Sequence, residues 1–217
     1  MEEEGLVSAS VGKLQLVGNL QIPKGAYGVV IFAHGSGSSR HSPRNRYVAK
    51  VLQGKGLGTF LVDLLSSEEE ALDEETRALR FDIPLLTKRL LALTEWLKKQ
   101  PVAKSMAIGY FGASTGAAAA LAAAAHGGSE IQAVVSRGGR PDLAKGFLSK
   151  VEAATLLIVG GEDREVIELN EKAFALLKSE KKLVIIPGAT HLFEEKGALE
   201  DVAKQAADWF QKHLTLL

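Results

Sequence analysis

From about residue 28 to the end of the chain, short apolar runs alternate with longer segments of helical periodicity. The runs 28–33 and 155–159 are apolar throughout, as strands buried on both faces of a parallel sheet are. Segment 81–100 instead repeats leucine at helical spacing. Alternation of this kind is typical of a parallel sheet with helices on both faces, so the sequence predicts an α/β fold.

The alternation also predicts where the elements lie. We expect antiparallel edge strands within 14–22, and parallel strands at 28–33, 59–65, 105–111, 131–136, 155–159 and 183–186. We expect helices at 43–56, 81–100, 115–126, 166–177 and 199–214. Only the connections 66–80 and 138–151 are long enough to act as partial lids. The prediction is one domain over residues 1–217, without a cap domain.

The composition excludes several classes of function. Lys plus Arg and Asp plus Glu both number 26, so there is no overall basic field for nucleic acid. There is no cysteine, which excludes disulfides, thiolate metal sites and a cysteine nucleophile. No apolar run has the length of a membrane span, and the acidic first residues lack the apolar region of a secretory signal. We expect a cytoplasmic monomer or homodimer with no nucleic-acid or membrane partner.

The strongest motif surrounds Ser114. Gly112, Ser114 and Gly116 match the pattern G-x-S-x-G, between a predicted strand and a predicted helix. In that context the serine lies on a strained turn, and its neighbours two positions away must be small because the helix packs closely on the strand. The turn exposes the hydroxyl at a helix N-terminus, where developing negative charge is favoured. The alternative is a plain glycine-containing turn into a helix. We predict that Ser114 is a nucleophile.

A serine nucleophile needs a base and an acid that orients the base. His191 follows the last predicted strand, and Asp163 follows the strand 155–159, so both lie at the edge of the sheet where Ser114 is expected. The chain order Ser, Asp, His is that of the α/β type of triad. Glu162 is the alternative acid if the turn differs by one residue, whereas Asp142 suits the start of a helix after a proline. The prediction is a triad of Ser114, His191 and Asp163.

A glycine-rich loop at 34–39 closes the first central strand. Such a loop lets backbone N–H groups approach an oxyanion, and we assign the oxyanion hole to the N–H groups of Ser36 and Thr115. His34 begins this loop, and chain order and count argue against it as the base. We expect its ring to order this loop by hydrogen bonding and to contribute to substrate binding.

Taken together, the segments 34–37, 112–116, 161–163 and 189–193 resemble the α/β-hydrolase superfamily, and more closely its dienelactone-hydrolase-like branch. The resemblance covers about residues 10–215 and implies a short hydrolase without a cap. The dienelactone hydrolases that give the branch its name use a cysteine nucleophile, and this chain has Ser114 in that place. The serine broadens the expected reactions to ester, lactone or thioester hydrolysis.

The arginines suggest a substrate charge. Arg44, Arg80 and Arg137 fall in loops or first turns after predicted strands, on the expected catalytic edge. The guanidinium group suits carboxylate and phosphate, so we expect these residues to favour an anionic substrate. The alternative is that such arginines pair with the carboxylates of residues 68–75 and fix loops.

The sequence thus predicts a serine hydrolase that cleaves small carboxylic esters through an acyl-enzyme, with no metal or organic cofactor. One alternative is a catalytically silent small-molecule binding module on the same scaffold, and another is a peptidase with the same triad. A phosphate-binding protein that uses residues 35–39 is disfavoured, because the loop lacks the Gly-Lys-Ser/Thr ending of a P-loop.

Overall fold

The computed structural model describes residues 5–215, in which eight strands form one sheet with the spatial order β1-β2-β4-β3-β5-β6-β7-β8. The strands are β1 (Gly5–Val11), β2 (Leu14–Gln21), β3 (Gly28–Ala33), β4 (Gly58–Val62), β5 (Ala107–Ala113), β6 (Ile131–Arg137), β7 (Ala154–Gly160) and β8 (Lys181–Ile186). β1 and β2 pair antiparallel, as do β2 and β4, while β3 to β8 run parallel to one another.

Helices cover both faces of this sheet. They are α1 (Pro43–Gly54), α2 (Ser67–Thr76), α3 (Ile83–Lys98), α4 (Thr115–Gly127), α5 (Arg164–Leu176) and α6 (Ala198–His213). α3, α4 and α5 share one hydrophobic core with the sheet, and α1 and α6 share the other. The architecture is a doubly wound α/β fold with an antiparallel edge.

The two cores follow from the period of the strand. Val29 and Ile31 of β3 belong to the core under α3 and α4, whereas Val30 and Phe32 belong to the core under α1 and α6. Successive side chains of a strand point to opposite faces, so a strand apolar at every position supplies both layers at once. Burial of these side chains drives the layering at roughly 25 cal/mol per Å² of apolar surface.

The predicted fold class is confirmed, with differences at two places. β1 precedes the predicted edge segment and pairs with it as a hairpin. α2 lies inside the predicted connection 66–80, where the Ser66 hydroxyl accepts from the N–H of Glu69 and the Glu69 carboxylate accepts from the N–H of Ser66. This capping box is readable as Ser-x-x-Glu and stabilises the helix N-terminus despite the weak apolar pattern that follows.

The connection 138–151 contains two short 3-10 turns, Pro141–Ala144 and Leu148–Lys150. The connections after β4 and β6 thus carry α2 and these turns beyond the carboxyl ends of the parallel strands, the edge where a catalytic site is expected. Within residues 5–215, no helix has the length and apolar character that crossing a bilayer requires.

Candidate active site

The predicted triad residues all follow strands at the carboxyl edge of the sheet. Ser114 follows β5, Asp163 follows β7 and His191 lies in the loop after β8. Ser114 and His191 line one cavity of about 240 Å³, together with the loop after β3 and the first turn of α1. The topology thus gathers residues that are far apart in sequence, as expected for the strand ends of an open α/β sheet.

Ser114 has the strained backbone of a sharp strand-to-helix turn. Its φ and ψ are 50° and −121°, a region that non-glycine residues rarely occupy and that costs of order 1–3 kcal/mol. Its N–H donates to the carbonyl of Arg137 at the end of β6, and its carbonyl accepts from the N–H of Ala117. The surrounding hydrogen bonds hold the strained residue in place and leave its side chain partly exposed.

The two glycines of the motif are required by space. A Cβ added to Gly112 would lie 2.4 Å from the Cα of Ala117, and one added to Gly116 would lie 2.2 Å from the carbonyl oxygen of Ala33. Real Cβ atoms essentially never come closer than 3.0 Å to such neighbours. Glycine therefore lets α4 pack against β5. It also lets the strand-to-helix turn at residues 112–116, here called the elbow, pack against the end of β3.

His191 and Asp163 are hydrogen-bonded to each other. Nδ1 of His191 lies 2.6 Å from Oδ2 of Asp163. A ring nitrogen that donates to a carboxylate is protonated, so this contact selects the tautomer whose Nε2 has a free lone pair. Glu162, the alternative acid, is exposed and binds the same loop through its backbone N–H, which donates to Ala189. Asp142 pairs with Arg140 instead.

A second carboxylate orders the loop that carries His191. Glu195 accepts from both the N–H and the hydroxyl of Thr190, at 3.1 and 2.6 Å. These bonds hold the pKa of Glu195 below its usual value, with the hydroxyl of Thr190 the largest cause. Phe193 has a φ of 56° and is fully buried, which anchors the other end of the loop. The loop is thus fixed on both sides of the imidazole.

His34 holds the loop after β3 through both ring nitrogens. Its Nδ1 lies 3.0 Å from the carbonyl oxygen of Gly35, and its Nε2 accepts from the N–H of Leu64 at 3.1 Å. Because a carbonyl only accepts and an N–H only donates, the ring is neutral with its proton on Nδ1. Burial lowers the pKa of His34, which favours this neutral form. His34 therefore orders the loop, and its predicted contact with substrate stays a prediction.

The Ser36 N–H, which we predicted to face the oxyanion, already has an acceptor. It donates to the side-chain hydroxyl of Thr115 at 2.9 Å. Thr115 is the first residue of α4, so its own N–H has no acceptor within the helix. The two residues predicted to supply the oxyanion donors are therefore in contact, but the N–H of Ser36 is occupied by the Thr115 hydroxyl.

Two of the three predicted anion-binding arginines line the cavity with Ser114. Arg137 is only 6% exposed, and its guanidinium donates to the amide oxygen of Asn45 and lies over the ring of Phe193. Burial, and next the charge of Arg44, lower the pKa of Arg137 to about 10. Arg44 pairs with the exposed carboxylate of Glu194 at 3.2 Å. Within residues 5–215, neither guanidinium Nε has a hydrogen-bond partner, and Arg137 has no carboxylate partner.

Arg80 lies elsewhere. Its guanidinium binds the side chain and the carbonyl of the buried Asp73, and the pair lines a second cavity of about 180 Å³ on the other side of the loop 35–38. That cavity also contains Asp63, Glu70 and Glu74, so its lining is acidic. For Arg80 the pairing is the loop-fixing arrangement that we gave as the alternative.

Sequence reasoning did not single out three residues of this site. Asn45, Phe193 and Glu194 contact the two arginines, but each is unremarkable in its local pattern. Asn45 is a buried polar residue in the first turn of α1, and a polar residue on the inner face of a helix was the one signal available.

Comparison with known proteins agrees with the fold. Residues 16–217 match the dienelactone hydrolase family. The crystal structure of a dienelactone hydrolase from Anabaena variabilis is 60% identical, with a TM-score of 0.97 over 98% of this chain and 99% of that one. Est1E from Butyrivibrio proteoclasticus is 18% identical with a TM-score of 0.81, over 96% and 98% of the two chains, and shows the shared fold.

Relatives in Mycobacterium tuberculosis are longer. Two proteins from strains of this species, which carry the provisional name phosphoribosyl transferase, are 56% identical over 208 residues. The match covers 96% of this chain and 46% of theirs, so the chain spans just under half the length of these relatives. The family match over residues 16–217 and the 60% identity to a dienelactone hydrolase of equal length agree with each other. The chain belongs to the dienelactone hydrolase family.

Proposed function

We propose that this protein is a serine hydrolase that cleaves small carboxylic esters, lactones or thioesters through a covalent acyl-enzyme. Ser114 is the nucleophile, His191 the general base and Asp163 the residue that orients the base. The proposed steps use the side chains and backbone of the chain, the ester and one water molecule.

The observation that carries the proposal is the 2.6 Å contact between His191 Nδ1 and Asp163 Oδ2, beside a strained Ser114 in the same cavity. A structural ion pair would not need a neighbouring serine at φ 50°, and strain of this kind concentrates at functional sites. The combination supports Ser114 as the nucleophile and His191 as its base, because a serine hydroxyl is a weak nucleophile until an adjacent base accepts its proton.

The proposed reaction has two stages. In the first, Nε2 of His191 takes the proton of Ser114 as Oγ attacks the ester carbonyl, and the imidazolium returns that proton to the departing alcohol. In the second, Nε2 takes a proton from water as its oxygen attacks the acyl-enzyme, and the proton passes to Ser114 as the acid leaves. Asp163 stabilises the imidazolium at both stages.

Labelling with a fluorophosphonate probe tests the nucleophile. We expect the parent protein to be labelled, Ser114→Ala to be unlabelled, and His191→Ala to be labelled much more slowly. Glu162→Gln is the matched control, because it removes a neighbouring carboxylate that does not contact His191. An unlabelled parent would contradict the proposal and favour a catalytically silent binding module. Labelling combined with cleavage of peptides in preference to esters would favour a peptidase.

We further propose that the ester carries an anionic group bound by Arg137 and Arg44. A buried guanidinium that donates a hydrogen bond to the neutral oxygen of Asn45 is costly to desolvate, and an arriving anion offsets that cost. Burial, and next the charge of Arg44 beside it, disfavour the charged guanidinium and lower the pKa of Arg137. Carboxylate and phosphate both match the planar fork of arginine.

The provisional name of the Mycobacterium tuberculosis relatives concerns a phosphate-bearing sugar. That name applies to proteins about twice the length of this chain, and it suggests phosphate as one anion worth testing. A phosphate dianion would be balanced by the two guanidinium charges, whereas a carboxylate would leave one of them to Glu194.

Matched esters test the anion. Phenyl acetate is neutral. 4-Acetoxyphenyl phosphate carries a phosphate on the leaving group, and mono-4-nitrophenyl succinate carries a carboxylate on the acyl group. We expect Arg137→Met and Arg44→Met to raise KM for one or both anionic esters and to leave KM for phenyl acetate close to that of the parent. Arg77→Asn is the control for loss of one positive charge, at an exposed position on the end of α2. Equal effects on charged and neutral esters would exclude an anion subsite.

A further inference from the structure

We propose that the side-chain hydroxyl of Thr115 is the second donor of the oxyanion hole and that the Ser36 N–H acts behind it. The Ser36 N–H donates to Thr115 Oγ1, and Thr115 Oγ1 in turn donates its proton to the oxyanion. The inference rests on the proposed ester hydrolysis and adds a catalytic side chain that the triad does not include.

The hydrogen bond from Ser36 to Thr115 carries the inference. At 2.9 Å, the Ser36 N–H is directed at Oγ1, so a substrate oxygen would have to share that donor at a poorer angle. Thr115 is 4% exposed and lies between the elbow and the loop, which leaves little space for its side chain to move away. The bond belongs to the packed site and joins residues 79 positions apart in sequence.

The loop cannot easily turn the Ser36 N–H toward the substrate. A Cβ on Gly35 would lie 3.2 Å from both the carbonyl oxygen of Ala113 and the Cβ of Ser114, so the loop backbone already touches the elbow. His34 ties the same loop to Leu64 and to the carbonyl of Gly35. The loop is held against the elbow from both sides, and Ser36 stays bonded to Thr115.

The chemistry of a hydroxyl completes the argument. A threonine hydroxyl has one proton to donate and two lone pairs, and the Ser36 N–H uses one lone pair. Accepting that bond polarises the O–H, so the proton becomes a better donor. Oγ1 and the backbone N of Thr115 belong to the residue that directly follows Ser114, at the first position of α4. In the proposed arrangement, an oxyanion formed on Ser114 accepts from both groups.

Steady-state kinetics on an ester such as 4-nitrophenyl acetate test the inference. Thr115→Val keeps the shape of the side chain and removes the hydroxyl, and we expect kcat to fall by about 10²–10³-fold, the usual effect of losing one oxyanion donor, with KM close to that of the parent. Thr115→Ser keeps the hydroxyl, and we expect it to restore most of kcat. Thr87→Val is the matched control, because Thr87 is equally buried, lies in α3 away from the site and has a hydroxyl with no partner in residues 5–215.

A trifluoromethyl ketone separates catalysis from packing. The ketone forms a tetrahedral adduct with the serine whose oxygen mimics the oxyanion, so Thr115→Val is expected to weaken its inhibition by the same factor as kcat/KM. A parent-like kcat and inhibition constant for Thr115→Val would overturn the inference, as would a loss that Thr115→Ser does not restore. If the parent does not cleave esters, or if Ser114→Ala keeps the activity of the parent, the proposed function fails. If the parent is active through Ser114 and Thr115→Val is neutral, the hydroxyl inference alone fails.

Discussion

His191 and Asp163 are joined through Nδ1 of the ring and Oδ2 of the carboxylate at 2.6 Å, although 28 residues separate them in the chain. The bond fixes the tautomer in which Nε2 accepts a proton. We expect Asp163→Asn to lower kcat by about 10⁴-fold on an ester, because an amide can donate to Nδ1 and so stabilise the wrong tautomer. The measurement is kcat at saturating ester.

The control for this change is Glu162→Gln. Its carboxylate is exposed, and its fixed contact with the loop is made by the backbone, so the variant should keep kcat near the parent value. A large loss in Glu162→Gln with an active Asp163→Asn would exchange the roles of the two acids.

Arg137 should respond to anions even in the absence of catalysis. We expect inorganic phosphate to raise the melting temperature of Ser114→Ala with saturable dependence on concentration, because binding to the folded state alone adds RT ln(1 + [L]/Kd) to stability, about 2.7 kcal/mol at 100 times Kd. Adding Arg137→Met to Ser114→Ala should remove the shift, and adding Arg77→Asn should leave it intact. Equal shifts in all three proteins would show that phosphate acts generally and not at Arg137.

His34 should make the folded state sensitive to mild acid. Its pKa lies below the ordinary value of 6.5 because burial disfavours the charged ring. As pH falls below about 6.5, the unfolded chain binds a proton that the folded chain does not, so the free energy of unfolding decreases until the folded pKa is reached. We expect His34→Gln, whose amide oxygen can accept from Leu64, to weaken this dependence.

Urea unfolding between pH 7.5 and 5.5, compared between parent and variant, measures the contribution of His34. The pKa of His213 is also lowered by burial, so His213→Gln is the second comparison and measures the contribution of that residue. Identical pH slopes for the parent and His34→Gln would show that His34 is not held neutral by the fold.

The placement of Ser114, Asp163 and His191 at one edge of the sheet was predictable because local patterns determine where they lie. Ser114 directly follows an apolar strand, Asp163 and His191 lie in the loops after two others, and the carboxyl ends of parallel strands share one edge of a sheet. The same logic covers the six parallel strands and most helices, whose patterns are strong. α2 was missed because its apolar pattern is weak and its cap, Ser66 with Glu69, was not read.

The partners of the site residues were not predictable, because tertiary packing decides them. Arg80 and Arg137 looked alike in sequence, yet the guanidinium of Arg80 binds Asp73, whereas that of Arg137, within residues 5–215, hydrogen-bonds only to Asn45, 92 residues away. The acceptor of the Ser36 N–H is likewise a side chain on a different element. Chain order shows which edge a residue occupies, while the rotamers and neighbours at that edge depend on the assembled core.

Gly116 should tolerate no side chain. A Cβ there would lie 2.2 Å from the carbonyl oxygen of Ala33 and 2.5 Å from that of His34, and both are backbone atoms that cannot move without breaking β3 from the elbow. We expect Gly116→Ala to lower the free energy of unfolding by about 3 kcal/mol or more, as overpacking of a rigid contact does, and to abolish fluorophosphonate labelling. Gly54→Ala is the control, because it also adds a methyl group to a helix but meets nothing within 4 Å, and it should be neutral or stabilising by about 0.5–1 kcal/mol. Chemical denaturation of the two variants beside the parent checks both values. A Gly116→Ala protein with parental stability would show that α4 can withdraw from β3, and the fixed elbow on which Ser114 and Thr115 depend would then need another explanation.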